Sequence, residues 1–109
     1  MSVHEVVGKS QLDDILSSHA LVVIDFTATW CGPCQMIKPK FKELAEEKSS
    51  DSLAFVTVDV DEDDNAEICE EYGVESMPTF KFVKNGATID SVIGNKFDDV
   101  KAGVVKHTS

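Results

Sequence analysis

A chain of 109 residues is one ordinary domain, long enough to bury roughly two-thirds of its unfolded surface around a single core. Its 42% hydrophobic and 28% charged residues exclude a disordered tail. A formal charge of −10 repels phosphate backbones and anionic lipid, which argues against nucleic-acid and membrane-surface roles and favours solubility. No run of about 18 apolar residues is present to span a bilayer. Met1-Ser2-Val3-His4-Glu5 lacks a basic leader followed by an apolar run, so no secretory signal is expected. The cysteines are Cys31, Cys34 and Cys69. An odd, low number does not suit a secreted disulfide framework, and a cytoplasmic, reducing setting is expected.

The pattern predicts one domain over residues 1–109, with no repeat or linker. Val3 to Val7 reads as an edge strand. Ser10 and Asp13 form a candidate capping pair for a helix with Leu12, Ile15 and Leu16 on one side. Leu21 to Ala28 is nearly all apolar, the pattern of a strand buried on both faces. Gly32 to Lys48 reads as a helix with a stripe of Met36, Ile37, Phe41, Leu44 and Ala45, kinked at Pro39. Leu53 to Val60 is a second central strand, and Asp61 to Tyr72 a helix stopped by Gly73. The run Asp59 to Asp64 lacks the glycine and glutamate of a calcium loop and reads as a strand end and an acidic helix start. Thr79 to Val83 and Thr88 to Ile93 form a hairpin through Asn85-Gly86. A last helix from Lys96 turns Phe97, Val100 and Val104 inward and ends on Lys106 and His107. The order β-α-β-α-β-α-β-β-α implies an α/β fold: a mainly parallel sheet with a terminal antiparallel hairpin, covered by helices on both faces.

In open α/β sheets, sites gather beyond the carboxyl ends of the strands. The buried strand at Leu21 to Ala28 leads straight into Trp30-Cys31-Gly32-Pro33-Cys34. Cysteines three apart in a first helical turn share a face and can close or open a disulfide. The positive helix N-terminus favours a thiolate, the nucleophilic form. Cys31, nearer the loop, is expected to be the exposed, attacking sulfur, and Cys34 the resolving one. Gly32 leaves room for an incoming backbone, and Pro33 stiffens the turn. A zinc site would need four ligands, and Cys69, His4, His19 and His107 show no ligand-like spacing. Asp25 lies within the apolar strand, where an unpaired carboxylate is costly and its pKa rises. The alternative, an aspartate pointing to solvent, is disfavoured by the apolar residues around it. Pro78 is tolerable at the start of a strand.

WCGPC between a buried strand and a helix, with Asp25, Pro39, Met77-Pro78-Thr79 and Lys84-Asn85-Gly86 in order, resembles the thioredoxin family from Leu21 to Gly94. The resemblance implies a thioredoxin fold and a protein-disulfide reductase with a redox-active Cys31–Cys34 pair. The Gly-Pro between the cysteines matches the reducing members more than oxidases or isomerases. Asp25 is then a proton carrier for Cys34, acting through water. Met77–Pro78 is a cis peptide whose Met77 backbone pairs with an extended substrate. Trp30, Gly32, Pro33, Met77 and Gly94 surround Cys31 as an apolar docking patch. Partners implied are a thioredoxin reductase and disulfide-bearing clients such as peroxiredoxins, methionine sulfoxide reductase and ribonucleotide reductase. No cofactor or metal is implied, and a monomer is expected. The competing reading is a redox-independent binding or scaffold subunit that uses the same patch.

One position departs from the family pattern: where thioredoxins commonly carry a lysine beside the buried aspartate, this chain has Thr57, so the Asp25 pKa is expected to be higher than in relatives. For Cys69, flanked by Glu67, Glu70 and Glu71, a buried structural role is expected over a regulatory thiol.

Overall fold

The computed structural model describes residues 2–109. In chain order it contains β1 (Val3–Val6), α1 (Lys9–Ser18), β2 (Leu21–Thr27), α2 (Gly32–Lys48) and β3 (Leu53–Asp59). A 3-10 turn (Asp63–Asn65) then runs into α3 (Ala66–Tyr72), followed by β4 (Thr79–Lys84), β5 (Ala87–Ile93) and α4 (Phe97–Thr108). The strands lie in the order β1-β3-β2-β4-β5. Three of them, β1, β3 and β2, run parallel, while β4 runs antiparallel to both of its neighbours, β2 and β5. The hairpin turn uses Asn85 at φ 54° and Gly86 at φ 79°, the left-handed pair that a two-residue loop demands. Among the described residues no helix is long and apolar enough to cross a membrane.

Because side chains alternate across a strand, β2 feeds two core layers at once. Leu21 and Val23 join Phe55, Phe80 and Phe82 under Ile37 and Phe41 of α2 and Val100 and Val104 of α4. Val22, Ile24 and Phe26 join Val56 and Val58 against Leu12 of α1 and Ile68 of α3. All six residues from Leu21 to Phe26 are at most 2% exposed. The same alternation puts Asp25 on the α2 side, in the slot that follows Leu21 and Val23.

Three expectations fail at the helices, the first being that α3 starts at Ala66, after a 3-10 turn over Asp63–Asn65, and not at Asp61. Ser10 caps nothing: the N-cap of α1 is Gly8 at φ 94°, and no side chain bonds there from the cap. Gly8 can turn the chain at a φ that other residues avoid, so the helix starts at Lys9, two residues earlier than a Ser10 cap would place it. The exposed ends are satisfied from elsewhere, Val7 N–H donating to Gln11 Oε1 and Gly8 N–H to Asn65 Oδ1, each at 2.8 Å. Met36, expected in the α2 stripe, is 68% exposed. It lies in the row of Lys40, Glu43 and Glu47 at helical spacing, and the stripe is Cys34, Ile37, Phe41, Leu44 and Ala45. The helix continues through Pro39. Phe97 is only partly buried against the first core layer. His107 at the end of α4 also bonds Asp90 of β5, Nε2 to Oδ2 at 2.9 Å, and this contact holds the Asp90 carboxyl below its usual range.

Asn65 is a fully buried amide that ties three segments together. Its Nδ2 donates to Val6 O at 3.2 Å and to Asp59 O at 3.1 Å, while its Oδ1 accepts from Gly8 N–H. Truncation would leave those backbone groups without partners. Asn65→Ala is therefore expected to lower the unfolding free energy in urea by about 2–3 kcal/mol. A loss under about 0.5 kcal/mol would mean that the freed groups are simply rehydrated.

Cys69, the free cysteine, is half-buried against the second core layer with Tyr72 and Val74. Burial pushes its thiol pKa up, and the charge of Asp59 adds to the effect. Both favour the unreactive thiol. In the reduced native protein a thiol reagent is expected to label Cys69 at least about tenfold more slowly than in the unfolded chain. Cys69→Ala should cost under about 1 kcal/mol. Native labelling as fast as in the unfolded chain would contradict a structural role.

Candidate active site

Past the end of β2, the buried Ala28 accepts the Cys31 N–H at 3.2 Å and the Gln35 Nε2 at 3.0 Å, which pins the loop to the start of α2. Cys31 is the N-cap of that helix. Its Sγ accepts the backbone N–H of Cys34 at 3.2 Å, in the place where a serine or aspartate oxygen often sits. Gly32 and Pro33 occupy the first turn, where a missing N–H does no harm. The two sulfurs are joined in a disulfide. In the reduced state the same N–H and the helix dipole stabilise a negative Cys31 sulfur.

The pair is less open than expected. Cys31 is 5% exposed and Cys34 0%, because Ala28, Val60 and Met77 pack around them. Cys31 is thus the more accessible of the two, but it is recessed, and the exposed residues are its neighbours Trp30, Gly32 and Pro33. Trp30 is held by its indole N–H, which donates to Asp61 Oδ2 at 2.5 Å.

On the opposite side, Cys31 Sγ lies 3.7 Å from the Met77 carbonyl oxygen. The Met77–Pro78 peptide is cis. The Pro78 carbonyl accepts the N–H of Gly94 at 2.9 Å, and Gly94 sits at φ 102°, which a residue with a Cβ rarely adopts. The loops before β4 and after β5 are thereby drawn to the cysteines. Cys31, Cys34 and Met77 are in direct contact, Pro78 and Gly94 adjoin them, and Trp30, Gly32 and Pro33 flank them.

Beneath α2, Asp25 is 1% exposed, and no protein group among the described residues reaches its Oδ1. The alternative of a solvent-facing aspartate is excluded. Burial pushes its carboxyl from 3.8 up to about 7, with the positive charge of Lys38 pulling the other way. Thr57 is its register partner on β3. Asp25 opens on a cavity of about 320 Å³ whose walls include Thr57, Lys38, Gln35, Glu5, Asp59 and Glu62. A carboxyl with a pKa near neutrality can take and return a proton at working pH. Among the described residues no group of three or more His, Cys, Asp or Glu side chains is placed to hold a metal ion.

Sequence reasoning missed Val60, which packs on the cysteines, and Asp61, which fixes Trp30. Both were legible only as the end of a strand and the start of an acidic run. It also missed Lys38. Its spacing of four from Cys34 was the available signal.

The thioredoxin family model matches residues 2–106. Thioredoxin H4 of Arabidopsis thaliana is 49% identical over 98 residues, spanning 90% of this chain and 80% of that protein. The crystal structure of Malassezia sympodialis thioredoxin superposes with a TM-score of 0.89 at 39% identity, over 98% of this chain and 91% of that one. A chain from a crystal structure of a complex between ferredoxin:thioredoxin reductase and thioredoxin f2 superposes with a TM-score of 0.86 at 32% identity, over 98% and 96%. With the cysteine pair at the head of α2 and a family match over nearly its whole length, this chain belongs to the thioredoxin family.

Proposed function

We propose that Cys31 attacks and Cys34 resolves in the protein-disulfide reduction that this chain carries out as a thiol–disulfide oxidoreductase. The observation that carries this division of labour is the Cys34 N–H directed at Cys31 Sγ on the helix N-terminus. The Cys31 thiolate attacks one sulfur of a client disulfide, forming a mixed disulfide and expelling the other client sulfur as a thiolate. Cys34 then loses its proton to the Asp25 carboxylate. The Cys34 thiolate attacks Cys31 Sγ, the bond from Cys31 to the client breaks, and the second client thiolate leaves. The proton on Asp25 returns to a departing sulfur. Two electrons pass to the client, and Cys31–Cys34 ends as a disulfide.

Trp30, Gly32, Pro33, Met77, Pro78 and Gly94 form the surface on which clients dock, supported by the exposure of Trp30 at 67% beside a nearly buried sulfur. A client loop must reach down to Cys31, so the patch selects extended, accessible disulfides. Thioredoxins act with reductases and disulfide-bearing clients. For this chain the partners are a thioredoxin reductase and clients of the peroxiredoxin, methionine sulfoxide reductase and ribonucleotide reductase kinds. The location that suits this work is the cytoplasm, where reducing conditions keep the dithiol charged.

Substitution separates the sulfurs. Cys31→Ser is expected to bring insulin-disulfide reduction down to background and to trap no client. Cys34→Ser is expected to attack and remain joined to the client, seen as a covalent complex that dithiothreitol releases. Traps formed by Cys31→Ser and not by Cys34→Ser would reverse the assignment. An unaltered client affinity with no reduction in the wild type would favour a scaffold role.

Asp25 makes a prediction of opposite sign for stability and activity. Its carboxyl pKa is raised on folding, so the folded chain holds a proton that the unfolded chain gives up between pH 3.8 and about 7. Its burial therefore destabilises increasingly across that window and fully above it. Asp25→Asn is expected to stabilise the protein by roughly 2–4 kcal/mol at pH 8 and by almost nothing at pH 3. The same variant is expected to slow client release near pH 7 by about tenfold or more. A urea midpoint at pH 8 below that of the wild type would contradict the buried-acid reading.

A further inference from the structure

We propose that Lys38 is a positioning residue for the proton that Asp25 exchanges with Cys34, its ammonium being the cation on the wall of the cavity into which the Asp25 carboxyl opens. This rests on the reading of Asp25 as the proton carrier.

The placement follows from register. Glu5 of β1 pairs with Thr57 of β3, and Thr57 pairs with Asp25 of β2, so the three stand in one row across the sheet, on the face covered by α2. Lys38 lies four residues after Cys34, on the same side of α2, above that row. Among the described residues the groups around the cavity are otherwise neutral or acidic. Glu5 from β1, Asp59 from β3 and Glu62 from the following loop carry like charge to Asp25, and Thr57, Gln35 and Asn65 carry none. Lys42, one turn further along α2, lines the adjoining groove with Val3 and Phe41 and not this cavity. Lys38 makes no ion pair with another described residue, so its charge is not spent elsewhere.

An ammonium across a partly enclosed polar cavity favours the ionised carboxyl, against the burial that disfavours it. Thr57 can offer a hydroxyl but no charge. Lys38 is also exposed, and the residues packed on the cysteines are Ala28, Val60 and Met77, so it acts on Asp25 and not on a reacting sulfur. Its removal should leave binding of clients alone. It should keep Asp25 protonated to higher pH, so that fewer carboxylates are ready to accept the Cys34 proton near neutrality.

The test titrates the Asp25 carboxyl carbon by NMR in the full-length wild type, Lys38→Gln and Lys38→Arg, with turnover of insulin disulfides measured across pH. Lys38→Gln is expected to raise the Asp25 midpoint by about 0.5 pH unit or more, and Lys38→Arg to restore it. The rising limb of kcat should move by the same amount, with KM unchanged. Asp25→Asn and Asp25→Asn with Lys38→Gln should then share one pH profile. A midpoint in Lys38→Gln equal to the wild type, with Asp25→Asn still altering the profile, overturns the role of Lys38 alone. A profile untouched by Asp25→Asn overturns the proton-carrier reading and this inference with it.

Discussion

The Cys34 N–H that points at Cys31 Sγ is available because α2 starts at Gly32 and not one residue later. The first amides of a helix have no partner within it, and here the cap that receives one is the reactive atom itself. Ala28 fixes that geometry by accepting both the Cys31 N–H and the Gln35 side chain, so the loop cannot slide along the helix axis. Ala28 is in turn buried at the end of β2, the central strand. The chemistry of the sulfur is thus tied through three residues to the most deeply buried segment of the protein.

That tie explains why the site is recessed and yet usable. Val60 and Met77 close on the cysteines from two other strand ends, which shields the disulfide and leaves Trp30, Gly32 and Pro33 to meet a partner. Trp30 cannot rotate freely while its indole donates to Asp61. The result is a fixed rim around a nearly buried sulfur, and a partner must present a strand or loop rather than a flat face.

The strands and the bounds of α2 were legible because their signals are local and strong. A doubly buried strand reads as an unbroken apolar run, and Gly32 to Lys48 has a proline at one end and a stripe along its length. What failed was decided by contacts distant in sequence. Ser10 and Asp13 have the spacing of a cap, but Asn65, 57 residues from Gly8, supplies the bond and the helix enters through a glycine turn. Met36 was grouped with Ile37 by hydrophobicity, although one residue is a 100° turn and takes it off the core face. At the site, WCGPC announced the cysteines, whereas Asp61, Val60 and Lys38 carry no motif and become visible when the strands are placed side by side.

Asp25 occupies a slot that a leucine or valine would fill better. Its neighbours along β2 on that face are Leu21 and Val23, and its partner on β4 is Phe80, so nothing in the packing calls for a carboxyl. An acid with an orphaned Oδ1 in such a place weakens the fold at neutral pH, by the same physics that brings its pKa to about 7. The stability it removes and the proton affinity it gains are one quantity. A more stable fold is therefore open to this sequence by a single substitution, at the expense of a group that can both accept and return a proton near pH 7. The three rings of Phe41, Phe55 and Phe80, in contact at centroid distances of 5.6 Å, supply the packing in the same layer that lets the fold carry that defect. Function here is written as a local departure from good packing, placed within a well-packed aromatic layer.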